Sequence, residues 1–301
     1  MHQLLKQLEQ VQLLATGSKW RRLQAHPFRY VWSIGFKKLI YPFTKKGIII
    51  KTAAFFGGDM YVVLPAGADI YLTGGKSHDS EIRLAKWLIR QLKPGDVFID
   101  VGAHFGYFSL LAAALIKSEG RVFSFEASKS TFSLLKKNTQ YADNITCLNN
   151  AVSDKNELLV FHEFPVLYSE YNSLNIDQFK NEKWFLKYRP RKIEIEAIIL
   201  DDFIEKNNIQ PSVIKIDVEG AEYQVISGLK KLMATPEKTP IVMEYLHPDR
   251  KNESHRQAVD LMRKNGYHTY LINADGELYP VDDLDDYLLK NGMESDNVLM
   301  C

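Results

Sequence analysis

The chain has 301 residues, 46% of them hydrophobic and 25% charged, a composition that can bury a substantial core and excludes a disordered chain. Its two cysteines, Cys147 and Cys301, exclude a disulfide framework, and no apolar run reaches the roughly 18–20 residues needed to span a bilayer. The formal net charge of +1 is uneven: residues 1–46 hold nine Lys or Arg and one acid, a net +8, which leaves −7 on the other 255 residues.

The N-terminal residues predict a helix rather than a signal peptide. Leu4, Leu8 and Val11 recur at helical spacing, whereas Lys6 and Glu9 interrupt the continuous apolar core that a signal peptide needs. Because the cysteines also fit a reducing compartment, we expect a cytoplasmic location, either free or at the inner face of a membrane.

Residues 1–46 combine their basic charge with large aromatic side chains, which are Trp20, Phe28, Tyr30, Trp32, Phe36, Tyr41 and Phe43. One interpretation is a helical cap whose rings pack on the main domain and whose basic face meets water. Another is peripheral contact with a membrane or a lipid-linked substrate. A nucleic-acid contact is not expected, because no recognition motif accompanies the charge.

Short β-like runs follow over about 46–75. They are GIIIKTAAF, MYVVLPAG and DIYLTGG, separated by turns that contain Gly or Pro. We interpret them as a small antiparallel flap. The chain then divides into an N-terminal basic helical segment with this flap, residues 1–75, and a main domain, residues 76–301.

From Asp79 onward, strand-like and helix-like segments alternate. The apolar strands DVFIDV, RVFSF, ITCLNNAV, SVIKIDV, IVMEY, YHTYLI and NVLMC are mostly separated by amphipathic helices. This pattern indicates an α/β fold with a doubly wound, mostly parallel sheet covered on both faces. Residues 162–192 break the alternation and are either a substrate loop or lid, or a variable surface insertion.

Acidic residues end five of the predicted strands, namely Asp100, Glu126, Asp154, Asp217 and Glu244. Ligands of such sheets bind at the carboxyl ends of the strands, near the point where the strand order switches. The helix dipole could account for one or two carboxylates near helix N-termini, but five of them favour a shared site.

The turn in VFIDVGAHFGYFSL favours a nucleoside without phosphates. Gly102 lets the chain approach a ligand closely, Gly106 allows the helix to pack on the strand, and Glu126 can accept two hydrogen bonds from a ribose diol. His104 stands where a dinucleotide-binding turn has its middle glycine, and its side chain disfavours a pyrophosphate. S-adenosylmethionine fits better than NAD, and Asp100 could meet its amino group.

The segment VIKIDVEGAE, residues 213–222, crowds Asp217, Glu219 and Glu222 around Gly220. Glu222 is better explained as an ordinary acid in the first turn of a helix. A charge at the end of an apolar central strand is costly unless it is used or paired, so we predict a functional role for Asp217.

Five segments, in chain order, are similar to the FkbM family of S-adenosylmethionine-dependent methyltransferases: PGDVFIDVGAHFGYFSL, FSFEASKSTFSLLKKN, NNAVSD, IKIDVEGAE and PIVMEYLHP. The resemblance covers roughly residues 79–300, with departures at His104, where Asn is most frequent, and at Ala127, where Pro is usual. It implies a class I methyltransferase sheet of seven strands, mostly parallel with the last antiparallel, behind the N-terminal extension. It also implies O-methylation of a sugar, glycan or related metabolite.

The resemblance further implies which residues surround S-adenosylmethionine. The methionine end would meet the first turn, that is Asp100, Gly102, Ala103, His104 and Gly106. The ribose would meet Glu126 and Ser128. The adenine would lie beside three residues of the NNAVSD segment, Ala151, Val152 and Asp154. Asp217 would face the centre of methyl transfer.

A sugar hydroxyl is a poor nucleophile until it begins to lose its proton, so a base within hydrogen-bond reach is expected. The catalytic candidates are Asp217, Glu219, Glu244 and His247. We predict that Asp217 positions the reactants and that Glu244 or His247 accepts the proton, although His247 is equally well explained as a loop hydrogen bonder. The carboxylates could also bind Mg²⁺, which would acidify a coordinated hydroxyl.

Two other functions stay open. One is a nucleotide-binding oxidoreductase of the Rossmann type, against which the missing Gly-x-Gly pair argues. The other is a non-catalytic binding protein that keeps the methyltransferase fold. Nucleic-acid methylation is not expected, because the Asn/Asp-Pro-Pro-Tyr/Phe tetrapeptide typical of amino-group methylation is absent. The expected partner is a small-molecule or glycan acceptor, free or lipid-linked.

Overall fold

The N-terminal segment folds into short helices and a hairpin that pack on the rest of the chain. The computed structural model describes residues 1–301, the side chain of Gln178 excepted. The first elements are α1 (His2–Ala15), α2 (Lys19–Ala25), α3 (Pro27–Gly35), a π-helical turn (Phe36–Ile40), α4 (Tyr41–Thr44), β1 (Ile48–Ala53), β2 (Asp59–Leu64) and α5 (Ala68–Thr73). Leu8 and Val11 of α1 are buried in the same core as α6. Of the rings that the cap interpretation packs on the main domain, Phe36 and Tyr41 are buried, whereas Trp20, Phe28, Trp32 and Phe43 are exposed.

Two of the three strands predicted for the flap are present. β1 and β2 pair antiparallel from Ile48↔Leu64 to Ala53↔Asp59. The prediction of a strand for the third run, DIYLTGG, is wrong, because this run forms helix α5. Gly74 ends this helix in the left-handed conformation (φ 78°), which glycine adopts without steric cost.

The main domain continues the alternation of strands and helices. Its elements are α6 (Asp79–Gln91), β3 (Val97–Val101), α7 (Tyr107–Ile116), β4 (Arg121–Phe125), α8 (Lys129–Thr139), β5 (Ile145–Leu148), β6 (Ala151–Ser153), β7 (Leu158–Glu163), β8 (Arg191–Ile199), α9 (Leu200–Lys206), β9 (Val213–Ile216), α10 (Glu222–Ser227), α11 (Lys230–Met233), β10 (Ile241–Leu246), α12 (Glu253–Lys264), β11 (Thr269–Ile272), β12 (Leu278–Pro280), α13 (Leu284–Asn291) and β13 (Ser295–Met300).

The central sheet has the order β12-β11-β13-β10-β9-β3-β4-β5. The strands from β10 to β5 are parallel, and β13 runs antiparallel to both β10 and β11. This confirms the α/β fold with a mostly parallel sheet, although the short edge strand β12 adds an eighth strand to the seven predicted. β3 lies where the strand order reverses, which is where such sheets bind ligands.

Helices cover both faces of the sheet, because its strands are apolar on both sides. Within β3, Phe98 belongs to the core under α6 and α7, and the next residue, Ile99, belongs to the core under α10 and α12. Both side chains are fully buried. Alternate strand residues therefore hold one helical layer each, which fixes the carboxyl ends of the strands as a rigid platform.

The predicted strand ITCLNNAV is two strands. β5 ends at Leu148, and Asn149 then turns back to donate from Nδ2 to the carbonyl of Glu126 at 2.8 Å and to that of Ala127 at 3.1 Å. β6 leaves the central sheet and pairs with β8 in a second sheet, of order β6-β8-β7. The 162–192 stretch departs from β7 and returns in β8, with 3₁₀ turns at Val166–Tyr171 and Asp177–Phe179.

Among the helices described for this chain, none is both long enough and apolar enough to cross a membrane.

Candidate functional site

A cavity of about 460 Å³ opens at the carboxyl ends of β3, β4, β9 and β10. Its wall comes from segments that are far apart in sequence, within 66–81, 101–104, 125–127, 150–152, 161–174, 217–221, 244–250 and 294–297. Three of the five acidic strand ends, Glu126, Asp217 and Glu244, lie on this wall. The site is therefore where the topology of the sheet predicts it.

Gly102 brings the turn after β3 into direct contact with the end of β9. Its φ is 81°, and a Cβ added to it would lie 1.8 Å from the carbonyl oxygen of Asp217. Only glycine fits this close approach of two strand ends. The turn after β3 and the end of β9 therefore meet backbone to backbone at the cavity wall.

The backbone N–H groups of this turn are already donated within the protein. Those of Gly102 and Ala103 bind the carbonyl of Phe125 at 3.0 and 2.9 Å, and that of Gly106 binds the carbonyl of Ala103 at 2.8 Å. The N–H of His104 donates to Oε2 of Glu126 at 2.8 Å. These four donors are not available to a phosphate group, unlike those of a phosphate-binding turn.

Glu126 is held on the cavity wall by two backbone donors, one for each oxygen. The second is the N–H of Ser128, at 2.9 Å from Oε1. Burial raises the pKa of Glu126 to about 7, although both hydrogen bonds act to lower it. The remaining lone pairs of this oriented carboxylate can accept hydrogen bonds from a ligand.

An apolar slot lies beside Glu126. Ala127, Ala151, Val152, Phe161 and Leu174 all line the cavity. Ala151 and Phe161 belong to a small buried core that Ala127 and Leu174 pack against. We call Gly102, Glu126, Ala151, Val152 and Phe161 the strand-end half of the cavity.

Asp217, Glu219 and Glu244 bring carboxylate oxygens within 4.8 Å of one another. Burial, then Glu244 and Asp217, raise the pKa of Glu219 well above its ordinary value. Burial and the charge of Asp217 raise the pKa of Glu244 to about 8. Glu244 therefore exchanges its proton near neutral pH. We call these three residues the carboxylate cluster.

Lys215 supports this cluster from inside the sheet, a role that the sequence analysis missed. Its Nζ lies 3.2 Å from Oδ2 of Asp217 and 3.5 Å from Oδ1 of Asp100, and it is almost fully buried. Burial alone would lower its pKa, but Asp217 and Asp100 raise it, so Lys215 is a cation. A lysine inside an otherwise apolar central strand was the available signal.

Asp100, predicted to meet the cofactor, is turned inward. It is 1% exposed and accepts a 2.6 Å hydrogen bond from Oγ of Ser109, in addition to the contact with Lys215. Asp100 is not among the described residues that line the cavity. Its carboxylate therefore faces Ser109 and Lys215 beneath the cavity wall.

Four more predicted cofactor residues, Ala103, Gly106, Ser128 and Asp154, are also not among the described cavity-lining residues. Gly106 packs on α8, where an added Cβ would lie 2.6 Å from Leu135. Asp154 is exposed at the turn after β6, because β6 leads away from the central sheet. In contrast, Gly102, His104, Glu126, Ala151, Val152 and Asp217 do line the cavity.

The hydroxyl of Ser128 caps helix α8. Its Oγ accepts from the N–H of Thr131 at 3.2 Å and donates to Oε1 of Glu163 at 2.5 Å. Glu163 in turn binds Ser130 and Arg191. The side chain of Ser128 therefore has a structural role, and only its N–H orients the site, through Glu126.

The two predicted histidines differ in position. His247 caps the turn Pro248–Arg250, where its Nδ1 accepts from the N–H of Asp249 at 3.2 Å, and it is not among the described cavity-lining residues. His104 does line the cavity, with Nε2 3.1 Å from Oγ of Ser169. Burial lowers the pKa of His104 to about 4, so its ring is neutral at pH 7.

The rest of the cavity carries charges of both signs that the sequence analysis also missed. Nζ of Lys76 lies 2.8 Å from Oε1 of Glu170 and 3.1 Å from Oε1 of Glu81. Burial raises the pKa of Asp69 to about 7. We call Asp69, Lys76, Glu81, Glu170 and Arg250 the charged half of the cavity. Nε of Arg250 is buried and has no hydrogen-bond partner among the described residues.

Comparison with known proteins gives the family. Residues 100–269, more than half of the chain, match the model of the methyltransferase FkbM domain. The chain is 24% identical over 169 residues to a protein named as a probable cobalt-precorrin-6B C(15)-methyltransferase (decarboxylating) of Saccharolobus solfataricus, covering 52% of this chain and 83% of that protein.

The chain is also 24% identical over 144 residues to the hexuronic acid methyltransferase AglP of Haloferax volcanii, covering 47% of this chain and 53% of that protein. Among solved structures, the methyltransferase FkbM from Methylobacillus flagellatus superposes with a TM-score of 0.43 at 12% identity, covering 78% of this chain and 53% of that one.

Proposed function

We propose that this chain, which belongs to the FkbM family of S-adenosylmethionine-dependent methyltransferases, methylates a hydroxyl group of a sugar, glycan or related metabolite. The observation that carries the proposal is that one cavity contains the strand-end half, the carboxylate cluster and the charged half. The first of these suits an adenosine, and the last suits an acceptor rich in hydroxyl groups.

The strand-end half fits S-adenosylmethionine. Glu126 would accept hydrogen bonds from the ribose hydroxyls, and the apolar slot at Val152 and Phe161 would hold the adenine. The carboxylate cluster would offset the positive charge of the sulfonium group. NAD fits poorly, because four N–H groups of the turn are already donated and the nearby carboxylates would repel a pyrophosphate.

Bound S-adenosylmethionine supplies a methyl group attached to a positively charged sulfur, and this sulfur is a good leaving group without further activation. The protein therefore mainly has to position and deprotonate the acceptor. Glu244 is our candidate for the base, because it lies on the cavity wall and its pKa of about 8 leaves part of it deprotonated at neutral pH, a part that grows as the pH rises. Asp217, held by Lys215, would orient the acceptor.

The charged half suggests the kind of acceptor. Hydroxyl groups both donate and accept hydrogen bonds, so they suit a wall on which Lys76 and Arg250 alternate with Glu81 and Glu170. The buried Nε of Arg250, which has no partner among the described residues, favours an acceptor that also carries a carboxylate. The name of the Haloferax volcanii relative supports hexuronic acids as the first acceptors to test.

The carboxylate cluster is also a candidate binding site for Mg²⁺, because Mg²⁺ in proteins is coordinated mainly by carboxylate oxygens. If the metal is required, EDTA should abolish turnover and added Mg²⁺ should restore it. Unchanged turnover in EDTA would mean that the cluster acts without a metal, by accepting a proton and by offsetting the charge of the sulfonium group.

The test of the proposed function is an assay with S-adenosylmethionine and a panel of neutral sugars, hexuronic acids and their glycosides, read by mass spectrometry for a gain of one methylene unit. We expect an O-methyl ether on one class of the panel, and none with Glu244→Gln. Transfer to nitrogen would contradict the proposal. Binding of S-adenosylhomocysteine with no turnover on any acceptor would favour a non-catalytic binding protein.

A further inference from the structure

We infer that the N-terminal helical layer, residues 19–46, is a docking surface for anionic lipid bilayers. Seven large apolar side chains of this layer are exposed to solvent: Trp20, Phe28, Val31, Trp32, Leu39, Ile40 and Phe43. Phe28 and Phe43 are 89% and 87% exposed. Several exposed large apolar side chains within one segment indicate a binding face on an otherwise folded protein.

Six of the seven exposed residues lie in a continuous helical run from Pro27 to Thr44, and Trp20 lies in α2. Phe28, Val31 and Trp32 are spaced as i, i+3 and i+4, and Leu39 and Phe43 as i and i+4, so each set shares a face. Ser33, Phe36 and Tyr41 of the same run are buried, and the ring of Trp32 stacks on that of Phe36 with centroids 6.3 Å apart. The exposed apolar side chains therefore lie beside the buried ones that hold the layer on the protein.

The charge of the layer matches an anionic lipid surface. The sequence contains no Asp or Glu between Glu9 and Asp59. The exposed basic residues of the layer are Lys19, Arg21, Lys37, Lys38, Lys45 and Lys46. Exposed Trp and Phe beside Lys and Arg, with no acid among them, is the composition of helices that lie in the membrane interface.

Hydrogen bonds fix the layer to the rest of the protein, so a membrane bound to the layer would have a defined position relative to the cavity. Arg29 donates to Oγ1 of Thr52 and to the carbonyl of Tyr71, both at 3.3 Å. The hydroxyl of Tyr41 accepts a 3.0 Å hydrogen bond from the N–H of Leu167. Leu167 belongs to the Val166–Tyr171 turn, whose last three residues line the cavity. The layer therefore contacts the turn that forms part of the cavity wall.

The experiment is co-sedimentation with vesicles of phosphatidylcholine that contain about one-third phosphatidylserine, compared with pure phosphatidylcholine. We expect binding to the anionic vesicles, weakened by high salt because part of the attraction is electrostatic. Trp20 and Trp32 give a second readout that needs no variant: their fluorescence should shift to the blue and be quenched by brominated lipids.

Two variants locate the surface. Phe28→Ser/Leu39→Ser/Phe43→Ser and Lys37→Glu/Lys38→Glu should each weaken vesicle binding about tenfold or more. The matched controls change exposed residues elsewhere, Tyr141→Ser/Leu158→Ser/Leu289→Ser and Lys230→Glu/Lys264→Glu, and should bind like the wild type. Affinity for S-adenosylhomocysteine and the thermal midpoint should be unchanged in the docking variants, which shows that they fold.

Three results would overturn the inference: no binding of the wild type to anionic vesicles, equal binding of docking and control variants, or a dimer in solution that only the docking variants dissociate. The last would mean that a second copy of the chain covers the surface.

Discussion

The strand-end half and the charged half of the cavity are built in different ways. The strand-end half is made by backbone: Gly102 against the end of β9, and Glu126 held by two N–H groups. The charged half is made by long side chains, such as Lys76 and Arg250, that arrive from loops far apart in sequence. The comparison teaches that one fold can fix the cofactor geometry rigidly while leaving the acceptor to be chosen by a few replaceable charges.

Substitutions in the two halves should therefore have different signatures. Changes in the strand-end half should alter affinity for S-adenosylhomocysteine. Changes in the charged half should alter the KM for the acceptor and leave that affinity alone. Glu244, in the carboxylate cluster, should affect turnover more than either binding step.

Gly102→Ala should have the largest effect. The added Cβ meets the carbonyl of Asp217 at 1.8 Å and also strains a positive φ, so we expect about 3 kcal/mol or more of lost stability and no measurable binding of S-adenosylhomocysteine. Gly57→Ala is the control: its φ is 94° but nothing lies within 4 Å, so it should cost only about 1–2 kcal/mol. Thermal denaturation and calorimetry measure both. Normal binding by Gly102→Ala would show that this contact does not shape the site.

Glu244→Gln should lower turnover about 10²–10⁴-fold, the range for loss of a general base. In the wild type, turnover should rise with pH, reach half of its maximum near pH 8 and level off at higher pH, because the base acts when deprotonated. The variant should lack this rise. Glu222→Gln removes a neighbouring buried carboxylate, one that contacts Gly220 and His255 and helps to raise the pKa of Glu244, so this variant should keep the rise but move it to lower pH. A profile unchanged by Glu244→Gln would move the base elsewhere.

Glu126→Gln should weaken binding of S-adenosylhomocysteine about 10–100-fold, because it removes charge from hydrogen bonds worth about 1.5–3 kcal/mol each. Glu163→Gln is the matched control, since Glu163 is as buried but contacts Ser128 and Arg191 behind the cavity wall. Equal losses in both variants would indicate a general structural effect and not a ribose contact.

Arg250→Gln should have the smallest effect and the most selective one. The KM for an acceptor with a carboxylate should rise about tenfold, while affinity for S-adenosylhomocysteine stays the same. Arg256→Gln removes an exposed arginine paired with Asp285 and should change neither quantity. A change in cofactor affinity with Arg250→Gln would place this residue in the other half of the cavity.

The sequence predicts the strand-end half, except for Phe161, because strand periodicity and strand ends are local properties. The alternation of strands and helices is enough to place Glu126, Asp217 and Glu244 at one edge of the sheet. It is not enough to tell that Asp100 turns inward to Lys215, because the direction of a side chain at a strand end depends on its neighbours in space.

The charged half could not be predicted in this way. Lys76, Glu170 and Arg250 lie in loops without periodicity, and only the fold brings them together. The same reason explains why the sequence does not reveal that Asp154 lies away from the cavity. The turn at Asn149, which separates β5 from β6, depends on carbonyls at the end of β4 that are distant in sequence. Helix α5 was missed because a six-residue element is too short for its pattern to separate helix from strand.

The most direct test of the central claim, that the strand-end half holds an adenosine without phosphates, is calorimetric titration of the wild-type protein with S-adenosylhomocysteine and, separately, with NAD⁺. We predict saturable binding of S-adenosylhomocysteine and no binding of NAD⁺. Binding of NAD⁺ without binding of S-adenosylhomocysteine would contradict this account of the site.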